Sequence, residues 1–594
     1  MQLIGFTAEV DRKIAAAEER LEQEGLDRRV EFLCTTILEA ADAFIGRTKA
    51  NRSRKSWLSR EVRAAIRERN ALRRLVSSRR EEWLEACRKV QDLVREAKEK
   101  SWHDFVQELE VDTDPVKVWR VIRSLSGSAE QNLASNEVLV VNGKEISTAQ
   151  RKAEAFNRHY AAVGRGSLTK EERCRGKDIR RRLRATREDR VTEEVAPFSG
   201  VELSVALSSL KGRSTGGADR IAPRFLKALG PVARELLLGC FNTSWEEGKC
   251  PQAWRNGTII PLLKAGKPVS RIDSYRPVCL TSYLAKTMEK MVVNRLQHLA
   301  EARGWWCSEQ AGFRKRRSCE DQVIRLAQSI SDGFQARPSN RTVLALLDYS
   351  KAYDTVWRDG LLGALMDSGV PGRFVRWVDG FLRNRQSRVE FDGTSGRYKK
   401  FAQGLPQGSV LSPILFLFYI NSVRNVIPEG VNVSMYADDV AVWAQDAKKE
   451  RAAAKVEVAI QAISRWSADS KLSLNAGKCE ISFFSTDPRE ASWAPQVRLG
   501  GAELRYEPAP RFLGVTFDRT LTFRPHAEKI AAKVGKRCRV LAALAGQNWG
   551  WSRDSLVRVY KTYSVHPTSD GLLRGRLAAV ASSQYHRYSN KSTE

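Results

Sequence analysis

The segment TVLALLDYS (Thr342 to Ser350) constrains the fold of this 594-residue chain more than any other. A short, continuous apolar run is the pattern of a strand buried on both faces, so each side of its sheet must be covered. The run ends in Asp348, and an ionised carboxylate beside a core strand needs a partner or must lose its charge. Helical and strand patterns alternate around it: helices over Val201–Leu210, Pro223–Leu238 and Leu284–Ala302, strands over Thr258–Leu263, Ser387–Phe391, Val431–Tyr436, Val440–Trp443 and Arg511–Phe517. The expected fold class is α+β.

A second stretch, VSMYADDVAVWA (Val433 to Ala444), reads as a hairpin with Asp438 and Asp439 at its tip. Acids at a tip are also ordinary turn residues. Asp348 alters the balance, because strand-end carboxylates from separate segments repel one another unless a divalent cation lies between them. Hard oxygen ligands suit Mg²⁺, which keeps some waters and takes phosphate oxygens as further ligands. Two such ions about 4 Å apart activate a hydroxyl and stabilise the leaving oxygen of an in-line phosphoryl transfer, the chemistry of a nucleotidyl transferase.

The charge agrees with a polyanionic partner: 100 Lys and Arg against 70 Asp and Glu give a net charge of +30. Runs such as DIRRRLRATREDR and AGFRKRRSCED are equally compatible with solvated faces. The ten cysteines show no CxxC pair and no zinc spacing with histidine, which predicts reduced thiols. The longest apolar run, VLSPILFLFYI, is too short to span a bilayer, and MQLIGFTAEVDRK lacks the features of a secretory signal; no membrane association is expected.

Residues 1–125 read as a helical N-terminal region, with long helix from Ser56 to about Leu109 and an apolar seam through Trp83, Cys87, Val90, Val94 and Ala97. The seam is short, favouring packing within the chain over a coiled-coil dimer. Residues 126–194 read as a hairpin with Asn142 and Gly143 at its turn, a helix over Lys152–Gly164, and a basic linker over Gly166–Arg190.

Three ordered segments, LALLDYSKAYDTVW, QGLPQGSVLSPILFLFYIN and YADD, resemble motifs A, B and C of a reverse transcriptase. The wording is most similar to non-LTR (LINE-type) retrotransposon polymerases of the ingi or jockey-like kind. The resemblance runs from Val201 to about Tyr563 through ELSVALSSLKGRSTGGADRI, NGTIIPLLKAGKP, YRPVCLTSYLAKTMEK, QAGFRKRRSCEDQ and RFLGVTFDRTLTF. It implies a right-hand polymerase: fingers over 195–341, palm over 342–510, primer grip and partial thumb over 511–563, and a divergent tail over 564–594.

Carried over by position, the resemblance implies that Asp348, Asp438 and Asp439 bind two Mg²⁺ ions, with Mn²⁺ as a substitute. Tyr353 matches the bulky position that excludes a ribose 2′-hydroxyl, though core packing also explains a tyrosine there. Gln407 and Gly408 match the segment lying against the incoming nucleotide; the same residues also form an ordinary Gly and Pro turn. Lys264 and Arg276 match triphosphate-binding cations of the fingers, although solvated surface cations look the same in sequence. Lys478 resembles the lysine that protonates the leaving group. Phe512, Leu513 and Gly514 resemble the primer grip, and PHAEKIAAKVGKRCRVLAAL a basic thumb helix, or alternatively an ordinary surface helix.

The implied partners are an RNA template, a DNA primer and dNTPs; the oligomeric state stays open. The localisation implied by the family alone is intracellular and nuclear. Residues 1 to about 190 resemble the helical region that joins an upstream endonuclease to such a polymerase, and no endonuclease is expected within the chain. Arg316 stands where relatives tend to have glycine, and the tail after Tyr563 matches no expected continuation of the thumb. The alternative readings are an RNA-binding remnant with impaired catalysis, an intron-encoded maturase or a viral RNA polymerase. Tyr353 and the YADD wording stand against the last two.

Overall fold

The computed structural model describes residues 2–46, 58–73, 78–107, 138–166, 168–186, 192–212, 216–542, 553, 556–557 and 560. These residues fall into two compact units: those up to 46 with those from 138 to 525, and those from 58 to 107 with those from 526 onward. The tail expected over 564–594 lies outside the described residues.

The first unit is organised by a five-stranded sheet. Its strands are β5 (Arg341–Leu347), β9 (Val431–Tyr436), β10 (Asp439–Asp446), β11 (Glu480–Phe484) and β14 (Arg505–Tyr506), in the order β14-β11-β5-β10-β9. As its unbroken apolar run requires, β5 is central and covered on both faces, with Val343, Leu344 and Ala345 fully buried. On one side Val343, Ala345, Val440 and Val442 join the core with Val456, Ile460 and Ile463 of the helix Lys449–Asp469. Trp443, one residue out of phase with Val442, instead donates from Nε1 to Ser329 Oγ (2.8 Å) of the helix Cys319–Gln335.

A second sheet joins β3 (Asn256–Leu263), β4 (Tyr275–Leu280), β6 (Gln386–Phe391) and β7 (Thr394–Ser395) in the order β4-β3-β6-β7, with β8 (Lys399–Lys400) paired to β6. The helix Ala149–Val163 covers it, placing Phe156 and Tyr160 among Ile259, Tyr275 and Val389. The remaining strands form two-stranded hairpins: β1 (Leu139–Val141) with β2 (Lys144–Ile146), β12 (Arg498–Leu499) with β13 (Ala502–Glu503), and β15 (Arg511–Phe512) with β16 (Val515–Thr516).

Four expectations change. The strand read over Arg511–Phe517 is the β15–β16 hairpin, and the long helix read from Ser56 is, among the described residues, two helices, Arg60–Leu72 and Arg80–Gln107. The basic stretch read as a linker is helical over Lys170–Ala185: Thr169 and Glu172 form a capping box, and Ile179 and Leu183 bury one narrow face. Arg180 pairs with Asp359 (2.6 Å) and Asp379 (3.1 Å), so part of the charge run is structural. The helix expected over Pro223–Leu238 is two helices, Pro223–Lys227 and Pro231–Glu247, each begun by a proline whose missing N–H costs nothing at that position.

In the second unit the helices Arg60–Leu72 and Arg80–Gln107 pack together, with Val62, Ala65, Ala86 and Val90 buried. The helix expected from the basic thumb-like segment forms over Arg524–Ala542. All ten cysteines are free thiols. Among the described residues no helix is long and apolar enough to cross a membrane.

Candidate active site

The β9–β10 hairpin turns through Ala437 and Asp438, with Tyr436 paired to Asp439. Next to it, Val440 pairs with Leu347 of β5, so the register continued by one residue sets Asp439 opposite Asp348. On the other side of β5 the ladder with β11 ends at Glu480 opposite Leu346, and beyond it the Asp348 carbonyl accepts from Asn475 N (2.8 Å). From the same connection Lys478 Nζ donates to Asp348 Oδ2 at 3.0 Å. Asp439 and Lys478 therefore flank Asp348, giving a row Asp439, Asp348, Lys478 at this end of the sheet.

The acids carry the electrostatic cost of this arrangement. Burial pushes the Asp439 carboxyl up to about 6, with further upward contributions from Asp438 and Asp348. Burial also raises Asp438, and the charge of Asp348 adds to it. Mutually destabilised, oxygen-only donors are the chemistry of a hard divalent cation site. Among the described residues, however, no group of three His, Cys, Asp or Glu side chains is already shaped around an ion. Asp348 is instead paired with Lys478.

A cleft of about 880 Å³ opens beside these residues; Asp438 and Lys478 line it, while Asp348 and Asp439 do not. It brings Asp438, Lys264, Arg276, Tyr353, Gln407, Gly408 and Lys478 to one lining. Lys264 lies at the end of β3 and its Nζ donates to the Asp273 carbonyl (2.9 Å). Its pKa is lowered by burial first and then by the charges of Lys478 and Arg276, a crowding of cations that an anionic ligand would relieve. Tyr353 stacks on Phe416 with ring centroids 4.7 Å apart and 17° between planes, and its buried hydroxyl has no protein partner. Packing thus fixes the ring as a wall of the cleft.

The loop after Leu405 is seated by contacts that require its sequence. Cys279 N donates to the Gln407 carbonyl (2.6 Å), and Gly408 has φ 124°. A Cβ at Gly408 would lie 2.3 Å from the Cys279 carbonyl oxygen, so only glycine fits. Phe512, Leu513 and Gly514 stand apart from this cleft lining: they belong to the β15–β16 hairpin, where Leu513 (φ 45°) and Gly514 (φ 96°) make the turn. Arg316, in the position noted for glycine, has φ 58°, the conformation that glycine adopts most readily.

Three residues not singled out from the sequence complete the site. Gln310, buried, clamps the hairpin tip: its Oε1 accepts from Gly312 N (2.8 Å) and Ala437 N (2.9 Å), and its Nε2 donates to the Ala437 carbonyl (3.3 Å). Asp354 accepts from Gln407 Nε2 (2.9 Å) through Oδ1, and burial pushes its carboxyl up to about 6. His159, from the helix Ala149–Val163, reaches the cleft and lies 3.4 Å from Asp273. The sequence signals for Asp354 and Gln310 were their places in DYSKAYD, six residues after Asp348, and at the start of QAGFRKRRSCEDQ; His159 gave none, because its contacts are far apart in sequence.

Residues 263–517 match the family described as reverse transcriptase (RNA-dependent DNA polymerase). The chain is 30% identical over 375 residues to the RNA-directed DNA polymerase from mobile element jockey of Drosophila melanogaster, covering 62% of this chain and 40% of the relative. It is 29% identical over 371 residues to the jockey polymerase of Drosophila funebris, covering 61% and 40%. It is 24% identical over 498 residues to the "Probable RNA-directed DNA polymerase from transposon BS" of Drosophila melanogaster, covering 82% and 54%. The chain thus spans about half the length of these curated relatives or less. The matched span contains Asp348, Asp438, Asp439, Lys478 and the cleft loop, so the chain carries a region that matches the reverse transcriptase family and is similar to the polymerases of the jockey and BS elements.

Proposed function

We propose that the chain copies an RNA template into DNA from the 3′ end of a DNA primer, using dNTPs. The observation that carries this reading is a cleft lined by Asp438 together with Lys264, Arg276 and Lys478, with Asp348 paired to Lys478 and Asp439 next to Asp438. In a right-hand arrangement the five-stranded sheet is the palm and the β3–β4 strands belong to the fingers. The β15–β16 hairpin serves as primer grip and Arg524–Ala542 begins the thumb.

Asp348, Asp438 and Asp439 would hold Mg²⁺ or Mn²⁺, which when bound supplies an activated primer hydroxyl and a stabilised leaving oxygen. The chain's own residues do the rest. Lys264 and Arg276 offset the triphosphate charge. Tyr353, locked against Phe416, meets the sugar edge and disfavours a 2′-hydroxyl by steric exclusion. Lys478, an ammonium beside Asp348, gives a proton to departing pyrophosphate.

Asp438→Ala is expected to abolish extension of a DNA primer on RNA while RNA affinity changes less than about 2-fold, since phosphate contacts dominate affinity. Extension by Asp438→Ala would overturn the mechanism. RNA binding by the wild-type chain without any incorporation would instead identify a non-catalytic remnant.

A further inference from the structure

The cleft loop is held from beneath by two buried side chains of opposite charge. Arg358 grips the incoming side: its Nε donates to the Gly404 carbonyl (3.0 Å), one terminal nitrogen to Phe401 (2.8 Å) and the other to Gln403 (3.2 Å). Glu289, from the helix Tyr283–Ala302, grips the outgoing side. Its Oε2 accepts from the Ser409 hydroxyl, from Val410 N (2.7 Å) and from Leu411 N (3.1 Å). Those amides lead into the helix Ser412–Ile420, so the carboxylate also faces that helix's positive end.

Glu289 is 1% exposed, and its other oxygen, Oε1, is buried with no partner. Burying a carboxylate that leaves one oxygen unsatisfied is costly, and a hydrophobic residue would fill the same space on a helix that is otherwise apolar on this side. Besides the charge of the buried Arg385, the compensation is local to the loop: the side-chain hydrogen bonds of Glu289 go to residues 409–411, immediately after Gln407 and Gly408. Gly408 has no side chain with which to fix itself, and a Cβ there would meet the Cys279 carbonyl oxygen of β4.

We propose that Glu289 is a positioning residue for the incoming nucleotide, setting the Gln407–Gly408 backbone at the height at which it meets the dNTP. This rests on the polymerase reading above. It assigns to a residue with no place in the cleft lining a specific share of nucleotide recognition.

The test pairs hydrogen exchange with kinetics on the full chain. In Glu289→Ala, amides of 408–412 are expected to exchange about 10-fold faster or more, as a locally released segment does. The KM for dNTP should rise about 10-fold or more while primer–template Kd moves less than about 2-fold, the mark of a substrate-facing loop slightly out of place. Glu289→Gln, whose amide oxygen can accept the same three donors, should recover most of both effects. If Glu289→Ala does not fold, Ser409→Ala, which deletes one of the donors, should shift exchange and KM in the same direction. Unchanged loop exchange in folded variants, or KM and primer–template Kd rising together, overturns the proposal. Faster loop exchange in a chain whose wild type never extends a primer would uphold the anchor and count against the polymerase reading.

Discussion

The hairpins β1–β2 and β9–β10 both turn through two residues, and the energetics of their turns have different sources. In β1–β2 the turn is Asn142 (φ 51°) and Gly143 (φ 74°), residues that adopt positive φ with little strain, and nothing lies within 4 Å of where a Gly143 Cβ would be. In β9–β10 the positive φ falls on Ala437 (57°), where an L residue costs about 1–2 kcal/mol, and two acids follow it. The stabilisation comes from Gln310, 127 residues away in sequence, and from Gly312, whose hydrogen atom faces the Ala437 amide at a distance that excludes a Cβ. A turn that carries no chemistry is specified by its own residues. The turn that presents Asp438 is specified from outside, leaving its sequence available for function.

The largest expected effect comes from removing that outside support. Gln310→Ala leaves two backbone N–H groups, of Gly312 and Ala437, buried without partners, and should destabilise the chain by about 2–4 kcal/mol. With the tip released, extension should fall by about 100-fold even below the melting transition, because misplacement of the reacting groups is costly. Denaturant titration alongside single-nucleotide extension checks both. If stability falls and extension of the folded fraction stays normal, Gln310 is a core residue only, and the contrast between the hairpins loses its functional meaning.

How far this contrast could be read in advance depends on the range of the interactions. The buried strand β5 and the Asn142–Gly143 turn were legible because each signal is local, an apolar run and an Asn-Gly pair, whereas Lys264 and Arg276 were marked only by the family resemblance. Acids at two strand ends suggested that Asp348 meets the hairpin tip, while the three-carboxylate set came from the resemblance. The helix Lys170–Ala185 was not read, because a net basic composition hid the capping pair Thr169 and Glu172 and a face only Ile179 and Leu183 wide. The break at Gly230–Pro231 was a local signal overridden by the apolar periodicity on either side. What Gln310, Glu289 and Arg358 hold in place could not be read at all: the role of a buried polar side chain is defined by backbone groups that only the folded chain supplies.

A smaller effect is expected at Asp354, another acid held at a cost for the sake of the cleft. Its folded-state carboxyl titrates near 6, above the usual 3.8, so the stability linked to it is fully present below about pH 3.8 and lost as pH rises through about 6. Asp354→Asn keeps an acceptor for Gln407 and removes the charge. The variant should therefore gain on wild type as pH rises from 5 to 8, by roughly 1–3 kcal/mol at the upper end. Melting curves at the two pH values measure the gain. A difference that does not change between them would mean that Asp354 is not ionised at a cost, and that β9–β10 alone carries functional strain.

The smallest effects compare the turns directly, by exchanging their solutions. Ala437→Gly should relieve the positive φ and stabilise by about 0.5–1 kcal/mol, the αL penalty less the added entropy of glycine in the unfolded chain. Gly143→Ala should impose the same kind of strain on β1–β2 and cost about 1 kcal/mol, with extension within about 2-fold of wild type. The informative quantity is the coupling with Gln310. If Gln310 stabilises the tip chiefly by holding Ala437 in its strained conformation, Ala437→Gly in the Gln310→Ala background should recover more stability than it adds to wild type, while Gly143→Ala should be additive with both. Equal increments in the two backgrounds would show that Gln310 serves only to satisfy buried amides, and that Ala437 holds its conformation through the strand pairing on either side of it.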